Sequence, residues 1–377
     1  MSLADLWDPN LSLLEWRTRL VDNGYRWDDP EVGRELAAIG APGFPDGVGM
    51  NLAIPTMLTH ANDDVQARLV RPTATGEMTW TQLFSEPGAG SDLAGLSTRA
   101  DRDGDVFRVN GQKVWNTSAH HADYGLLLAR TDWDAPKHRG ITCFAIPMHQ
   151  DGVEVRPLRQ MNGHASFNEV YFTDAVVDAA DVIGEVNDGW AVALTTLAHE
   201  RRLAPIHRGG PVGSAPPGRA WEEATAETLR NSQPYTWYPQ RAGRPDLVAA
   251  AHTDDPIARQ EIARTVSLGR AAQWTAMRAA AARAGGKPPG AEGSLGKLSS
   301  SNIARQAART HTLLAGASAM TRSDPIVAEV LISVPAVSIA GGTDEIQHNI
   351  LGERILGLPR EPDESRDAPF RDVRRST

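Results

Sequence analysis

Small and hydroxyl-bearing residues cluster in one loop of this chain, residues 84–92, with the sequence Phe-Ser-Glu-Pro-Gly-Ala-Gly-Ser-Asp. The loop follows a run with strand-like alternation, and its glycines leave backbone N–H groups bare beside a ligand. An anionic group or a heteroaromatic ring of a cofactor suits such a loop. A purely structural turn stays an alternative on loop composition alone. Trp115 and Thr117, some two dozen residues later, add an aromatic face and a hydroxyl group.

Two further segments carry residue types suited to catalysis. Glu200 follows Ala193 by seven residues and Leu197 by three, so all three share one apolar side of a predicted helix. Burial beside that side would raise the pKa of Glu200 toward neutrality. Residues 340–347, Ala-Gly-Gly-Thr-Asp-Glu-Ile-Gln, predict a turn with bare N–H groups that leads into a helix with Thr343 as N-cap.

Taken together, these segments resemble the acyl-CoA dehydrogenase family. The loop at residues 84–92, with Trp-x-Thr after it, is similar to the family's flavin-binding signature. Residues 340–347 and 352–360 are similar to its C-terminal flavin and active-site turn, and residues 163–172 to its last middle-domain strand. The similar stretches cover about residues 77–205 and 256–360.

The resemblance implies an FAD-dependent enzyme of lipid metabolism and β-oxidation that converts an acyl-CoA to the trans-2-enoyl-CoA. It also implies an electron-transfer flavoprotein as acceptor, and either a homo-oligomer (dimer or tetramer) or a heteromer with a related subunit. By the same resemblance, Ser91 and Arg201 contact the acyl-CoA. The FAD contacts that it implies are Phe84, Ser85, Gly90, Ser91, Trp115, Thr117, Thr343 and Glu345.

The catalytic base departs from the commonest family pattern. Many members carry a glutamate immediately before the Gly-Thr of the C-terminal turn, where this chain has Gly341. A minority place it on the first long helix of the bundle, in a Glu-Arg pair, and Glu200 stands at the matching place. We therefore expect Glu200 to be the general base and the main-chain N–H of Gly341 to donate to the thioester carbonyl. A surface glutamate paired with Arg201 or Arg202 is the alternative.

Other departures keep alternative functions open. The family's Arg-x-x-Phe-Gly segment is missing from residues 221–254, and Thr-Leu-Leu-Ala-Gly-Ala-Ser at 312–318 replaces a Gln-x-x-Gly-Gly-x-Gly pattern. By the resemblance, the Arg-x-x-Phe-Gly segment reaches the ADP part of a neighbouring subunit's FAD, so a non-catalytic partner subunit of a heteromeric acyl-CoA dehydrogenase is one alternative. A flavin monooxygenase on the same fold is another. Residues 294–297, Ser-Leu-Gly-Lys, leave the weak alternative of an acyl-serine enzyme.

Composition excludes several classes of protein. The 377 residues are 41% hydrophobic and 23% charged, enough for two or three domains with cores. A net charge of −9 argues against nucleic acid or an anionic membrane as the main partner. The single cysteine, Cys143, lies in a strand-like run and suits a reducing compartment, and we expect it to be buried. We expect a cytoplasmic protein with no membrane span and no metal site.

Periodicity predicts the elements that position these residues. Residues 1–76 predict a short helical domain, and 77–186 a middle antiparallel β-barrel-like domain with hairpin turns at Asp103-Gly104 and Asn110-Gly111. Residues 187–360 predict a C-terminal four-helix bundle, interrupted by a Gly- and Pro-rich loop at about 209–255, and 361–377 a mobile tail. The expected fold class is α+β multidomain, in the order of the acyl-CoA dehydrogenase family.

Overall fold

The structure is a computed structural model that describes residues 1–203, 217–287, 290–321, 323–362 and 365–373. The chain divides into two compact units. Unit 1 comprises Met1–Arg159, Ala165–Gln233 and Asp363–Thr377, and unit 2 comprises Gln160–His164 and Pro234–Pro362. The sequence-based domain boundaries at 76 and 186 remain predictions.

Helices of unit 1 begin where the sequence provides caps. Ser12 caps the second helix in a reciprocal capping box with Glu15, whose carboxylate accepts from the Ser12 N–H at 2.9 Å. The Asn62 side chain accepts from the Val65 N–H at the start of the fifth helix. The helices are α1 Leu3–Leu6, α2 Leu13–Asp22, α3 Pro30–Ala38, α4 Ile54–His60, α5 Asp63–Thr75, α6 Gly189–Leu203 and α7 Arg219–Ser232.

Between these helices, the described residues of unit 1 form one eight-stranded sheet in the order β6-β7-β3-β2-β4-β5-β8, with β1 beside β4. Pairs such as β3–β7 and β4–β5 are antiparallel as predicted, but β1 runs parallel to β4. A parallel pair needs a long connection, and the β2–β3 hairpin supplies it. The strands are β1 Trp80–Leu83, β2 Arg99–Asp103, β3 Val106–Thr117, β4 Tyr124–Arg130, β5 Ile141–Pro147, β6 Val153–Leu158, β7 Phe167–Asp178 and β8 Val182–Ile183.

Apolar side chains cover both faces of the central strands. Leu126 and Leu128 of β4 pack in one buried cluster with residues of α4, α5 and α6, whereas Leu127 and Ala129 pack in a second cluster on the opposite face. Successive residues of a strand point to opposite faces, so both clusters depend on the same strand. The sheet is thereby fixed as a rigid support for the loop that follows β1.

One of the two predicted hairpin turns is wrong. Residues 103 and 104 do connect β2 to β3, which pair Asp103 with Val106. Asn110 and Gly111, in contrast, lie inside β3 at a bulge in its pairing with β7. Gly111 has φ +151, and an added Cβ would lie 2.8 Å from the Cα of Thr98, so only glycine fits. The Asn-Gly pair, whose glycine permits positive φ, therefore forms a bulge within a strand here and not a hairpin turn.

Two other expectations differ from the structure. The expected loop at 209–255 contains α7 and two short helices, α8 Tyr238–Arg241 and α9 Pro245–Ala250, while residues 204–216 lie outside the described part. The expected mobile tail is ordered over residues 365–373, because Phe370 is fully buried. Its N–H donates to the Ala135 carbonyl at 3.0 Å.

Unit 2 is helical in its described residues. Asp255-Pro256 and Asp324-Pro325 start two of its helices, with each aspartate accepting from backbone N–H groups of the first turn. The longer helices are α10 Pro256–Ala284, α11 Glu292–Ala315, α12 Pro325–Ser333 and α13 Asp344–Arg354. Across the described part of both units, no helix has the length and apolar character needed to cross a bilayer.

Candidate active site

The loop after β1 is anchored at its start and open at its tip. Phe84 is 4% exposed, and Glu86 and Ala89 exchange backbone hydrogen bonds of 3.0 and 3.1 Å that close a tight turn. Gly90 and Ser91 are exposed, and a Cβ added at Gly90 would meet open space among the described residues. The tip therefore leaves its backbone and the Ser91 hydroxyl accessible to a ligand.

Trp115 is held away from the sheet by its backbone. It has φ +63, and the pairing of β3 with β7 shifts register between Lys113 and Asn116, which marks a bulge. Positive φ is uncommon for a bulky residue, and bulges commonly re-aim a side chain near functional sites. The Trp115 side chain is 56% exposed, with an edge contact to Phe167 at 5.9 Å between ring centroids. A large aromatic face is thus presented for stacking.

Hydrogen bonds join the loop to the bulge. The Thr81 hydroxyl donates to the Thr117 carbonyl at 2.8 Å, and the Val114 N–H donates to the Ser85 carbonyl at 2.9 Å. Asn116 Nδ2 donates to the Gln82 carbonyl at 2.8 Å. We call this row of bonds the seam. The seam brings together Phe84, Ser85, Trp115 and Thr117, which the sequence analysis had grouped only by resemblance.

Arg130 holds the chain where the loop ends, a role that the sequence alone did not indicate. Arg130 is fully buried and donates to the carbonyls of Ala94 at 2.7 Å and Leu96 at 3.3 Å. Phe370 lies against its guanidinium, with 3.7 Å from Cζ to the ring centroid. Burial lowers the pKa of Arg130 to about 10, so it stays charged at neutral pH. An arginine ending a wholly apolar strand was the signal that could have indicated this role.

Glu200 lies on the inward side of α6. Ala193 and Thr196 are fully buried, and Leu197 packs against the apolar cluster that contains Ala193, Leu126 and Leu128. Glu200 is half-buried. The helix therefore continues its apolar stripe up to the carboxylate, as the spacing predicted. The side chain of the next residue, Arg201, lies outside the described part of the structure.

In unit 2, the turn before α13 has the backbone that its glycines permit. Gly341 and Gly342 have φ +70 and +82, and the Thr343 hydroxyl accepts from the Ile346 N–H at 3.3 Å as the N-cap. Gln347, 1% exposed, donates through Nε2 to the carbonyls of both glycines, at 3.2 and 3.3 Å. Glu345 is exposed in the first turn of the helix. Gly341, Thr343 and Glu345 thus share one ordered turn.

Comparison with known proteins tests the resemblance. Residues 81–175 match the model of the acyl-CoA dehydrogenase middle domain, and residues 240–356 match that of the acyl-CoA dehydrogenase C-terminal domain. Acyl-CoA dehydrogenase IpdE1 of Mycobacterium tuberculosis is 33% identical over 371 residues, which are 92% of this chain and 88% of that protein. The chain belongs to the acyl-CoA dehydrogenase family.

One more relative by sequence and one solved structure are similar to this chain. Acyl-CoA dehydrogenase FadE34 of M. tuberculosis is 38% identical over 330 residues, 87% of this chain, and the match spans only 42% of its length. A chain of the ChsE4–ChsE5 complex from M. tuberculosis has the same fold, with a TM-score of 0.65, 25% identity, and coverage of 93% and 90% of the two chains. The resemblance and the fold class are confirmed, and the general reaction expected from the sequence is supported.

Membership of the acyl-CoA dehydrogenase family leaves the Ser-x-x-Lys motif with a structural role. Ser294 is 4% exposed in the first turn of α11, and Lys297 donates to Asp344 at 2.8 Å. Burial alone would raise the pKa of Asp344, but Lys297 and nearby hydroxyls hold it below its usual value. The lysine therefore anchors the start of α13 rather than activating the serine.

The residues of unit 1 fit the aromatic ring of a flavin. Trp115 offers an exposed ring on a strained bulge, and the loop tip at Gly90 and Ser91 leaves donors accessible. A bulge that costs strain persists only where the surroundings fix it, and the seam does so here.

Proposed function

We propose that this chain is an acyl-CoA dehydrogenase that converts an acyl-CoA to its trans-2-enoyl-CoA, with Glu200 as the general base. FAD, when bound, accepts the hydride that leaves the β-carbon of the acyl group. The observation that carries the proposal is the place of Glu200, which ends the buried stripe of α6 while the usual base position holds Gly341.

Proton removal is the step assigned to Glu200. Its carboxylate would take the proton from the α-carbon of the thioester, and a half-buried carboxylate is better matched to that task than a fully solvated one. The main-chain N–H of Gly341 would donate to the thioester carbonyl and stabilise the charge that develops there. Gly341 needs no side chain for this role.

Binding is assigned to the loop, the bulge and the turn before α13. Trp115 would stack on the flavin ring and Thr117 would bond its edge, while Ser91 and Arg201 would contact the acyl-CoA. The remaining FAD contacts proposed are Phe84, Ser85, Gly90, Ser91, Thr343 and Glu345. Their support is the seam for Phe84 and Ser85, the exposed loop tip for Gly90 and Ser91, and the turn before α13 for Thr343 and Glu345.

Assembly and electron transfer complete the proposal. We assign an electron-transfer flavoprotein as the acceptor and the cytoplasm as the compartment, which the buried Cys143 suits. Among oligomers, we favour a heteromer with a related subunit over a homodimer or homotetramer. The ChsE4–ChsE5 neighbour is itself a complex, and residues 312–318 lack the family's Gln-x-x-Gly-Gly-x-Gly pattern. A partner subunit without its own activity is the second candidate.

Visible spectroscopy tests the proposal. The purified chain, alone and with a related subunit, is mixed anaerobically with short, medium, long and bulky acyl-CoAs, and bleaching of a bound flavin shows dehydrogenation. Glu200→Gln is expected to retain flavin and to slow bleaching by roughly 10²–10⁴-fold, because only the base is lost. Glu154→Gln, which removes an exposed carboxylate on β6, is the matched control.

The outcomes separate the two candidates. Full bleaching by Glu200→Gln would refute the base assignment. A chain that takes up FAD only with its partner, and contributes no bleaching of its own, would favour the non-catalytic subunit.

A further inference from the structure

Two oppositely charged side chains are buried between the loop and strand β3. The Lys113 side chain is 0% exposed and that of Glu86 is 7% exposed, with 2.8 Å between Nζ and Oε1. An unpaired charge at either place would carry a large desolvation cost, so each requires the other. Glu86 belongs to the loop motif, and Lys113 stands two residues before Trp115.

Each member of the pair also binds backbone. Lys113 Nζ donates to the Phe84 carbonyl at 3.0 Å. The Glu86 carboxylate accepts from the N–H of Ser97 at 2.7 Å and of Thr98 at 2.8 Å. The pair therefore ties the beginning and the end of the loop to one point on β3.

That point adjoins the bulge. The register of β3 against β7 is regular from Gly111 to Lys113 and resumes at Asn116, so Lys113 is the last regularly paired residue before Trp115 turns outward. Fixing Lys113 to the Phe84 carbonyl consequently sets the distance between the loop and the exposed ring. Burial alone would raise the pKa of Glu86, but Lys113 and the Thr98 and Ser97 N–H groups hold it below its usual value, which keeps the carboxylate ionised.

We propose that Lys113 and Glu86 are positioning residues of the flavin site, which hold the loop and the bulge at the separation that the flavin ring requires. Neither touches the reacting atoms. The inference rests on the proposed function, since it takes Phe84, Ser85 and Trp115 to face the flavin.

Three variants test it. Lys113→Met removes the ammonium with little change in length, and Lys113→Met combined with Glu86→Gln removes both charges. Arg17→Met breaks another ion pair of the same unit, in which buried Arg17 bonds half-buried Glu227 at 2.6 Å between α2 and α7, and serves as the matched control. The measurements are the dissociation constant of FAD, the thermal midpoint, and hydrogen–deuterium exchange of residues 84–98 and 106–117 without FAD.

Lys113→Met is expected to weaken FAD binding at least tenfold and to speed exchange in both segments. The paired variant is expected to recover much of the thermal midpoint, since no lone charge stays buried, yet not the FAD affinity. Arg17→Met is expected to lower the midpoint while FAD affinity stays within twofold. If Lys113→Met does not fold, the paired variant carries the comparison.

Two results would overturn the inference. One is a loss of FAD affinity that follows the thermal midpoint equally in all three variants, as a merely structural pair would give. The other is unchanged exchange in both segments. A wild-type chain that binds no FAD in any setting would instead refute the proposed function, and the exchange data would still decide whether the pair orders the two segments.

Discussion

Alanine substitutions at Gly341 and Gly342 test the turn that replaces the usual catalytic glutamate. Both residues have positive φ, +70 and +82, where an L side chain costs about 1–2 kcal/mol. At Gly341 the cost ends there, because an added Cβ would meet open space among the described residues. We expect Gly341→Ala to lower the free energy of unfolding by about 1–2 kcal/mol.

Gly342→Ala is expected to cost more. Its Cβ would lie 2.6 Å from Nε2 of Gln347, so that amide must move. Gln347 is buried and would lose its bonds to the Gly341 and Gly342 carbonyls, each worth about 0.5–1.5 kcal/mol. Added to the backbone cost, the loss is about 2–5 kcal/mol.

Urea unfolding monitored by circular dichroism measures both values. Gly341→Ala is also expected to retain bleaching by acyl-CoA, since the main-chain N–H assigned to the thioester is kept. A Gly341→Ala variant that loses as much stability as Gly342→Ala would refute this reasoning, because it would show that the two positions meet the same constraint.

Three further predictions concern unit 1. Burial raises the pKa of the Cys143 thiol to about 12, so it should react with a thiol reagent only upon unfolding, as measured by the rate of disulfide exchange with and without urea. The folded-state pKa of Glu86 lies below its unfolded value, so its ionisation favours folding above about pH 4.5 and that contribution is lost as pH falls through the folded pKa. Acid titration of the thermal midpoint should therefore be shallower in the variant that carries both Lys113→Met and Glu86→Gln, and equal slopes would contradict this. Phe370→Ala should cost about 3–5 kcal/mol because the ring is fully buried, whereas Leu14→Ala, at a side chain 43% exposed in the same unit, should cost little by the same urea assay.

The sequence predicted most helices and strands because residues adjacent in the chain largely determine where these elements form. The region predicted as a β-domain contains strand β4 at Tyr124–Arg130, and the region predicted as a helical bundle contains α10, which begins at Pro256 after the N-cap Asp255. Asn110-Gly111 failed because its positive φ suits a turn or a bulge equally, and the partner strand β7 decides between them. Helix α7 was missed because glycines and prolines surround it, although Ala220 and Ala224 are buried.

The sequence likewise indicated some residues of the candidate site and missed others. Residue types with family spacing indicated Trp115, Glu200 and Gly341, and the structure shows Trp115 exposed, Glu200 half-buried and Gly341 at positive φ. Lys113 and Arg130 escaped notice because a charged residue in a strand suggests a solvent-facing position. Glu86 lies 27 residues from Lys113, and Ala94 lies 36 residues from Arg130, so only the folded chain shows why a charge is buried at either place.

The burial of Phe370 also sets an order of events during synthesis. Unit 1 is assembled from separate stretches of the chain, and unit 2 is almost entirely encoded between them. Arg130 can bind the Ala94 and Leu96 carbonyls early, but the ring that covers it is translated some 240 residues later. Contacts this distant along the chain form late in folding. The loop that we assign to the flavin should accordingly reach its final rigidity only after translation is nearly complete, which makes cofactor loading a step that follows synthesis.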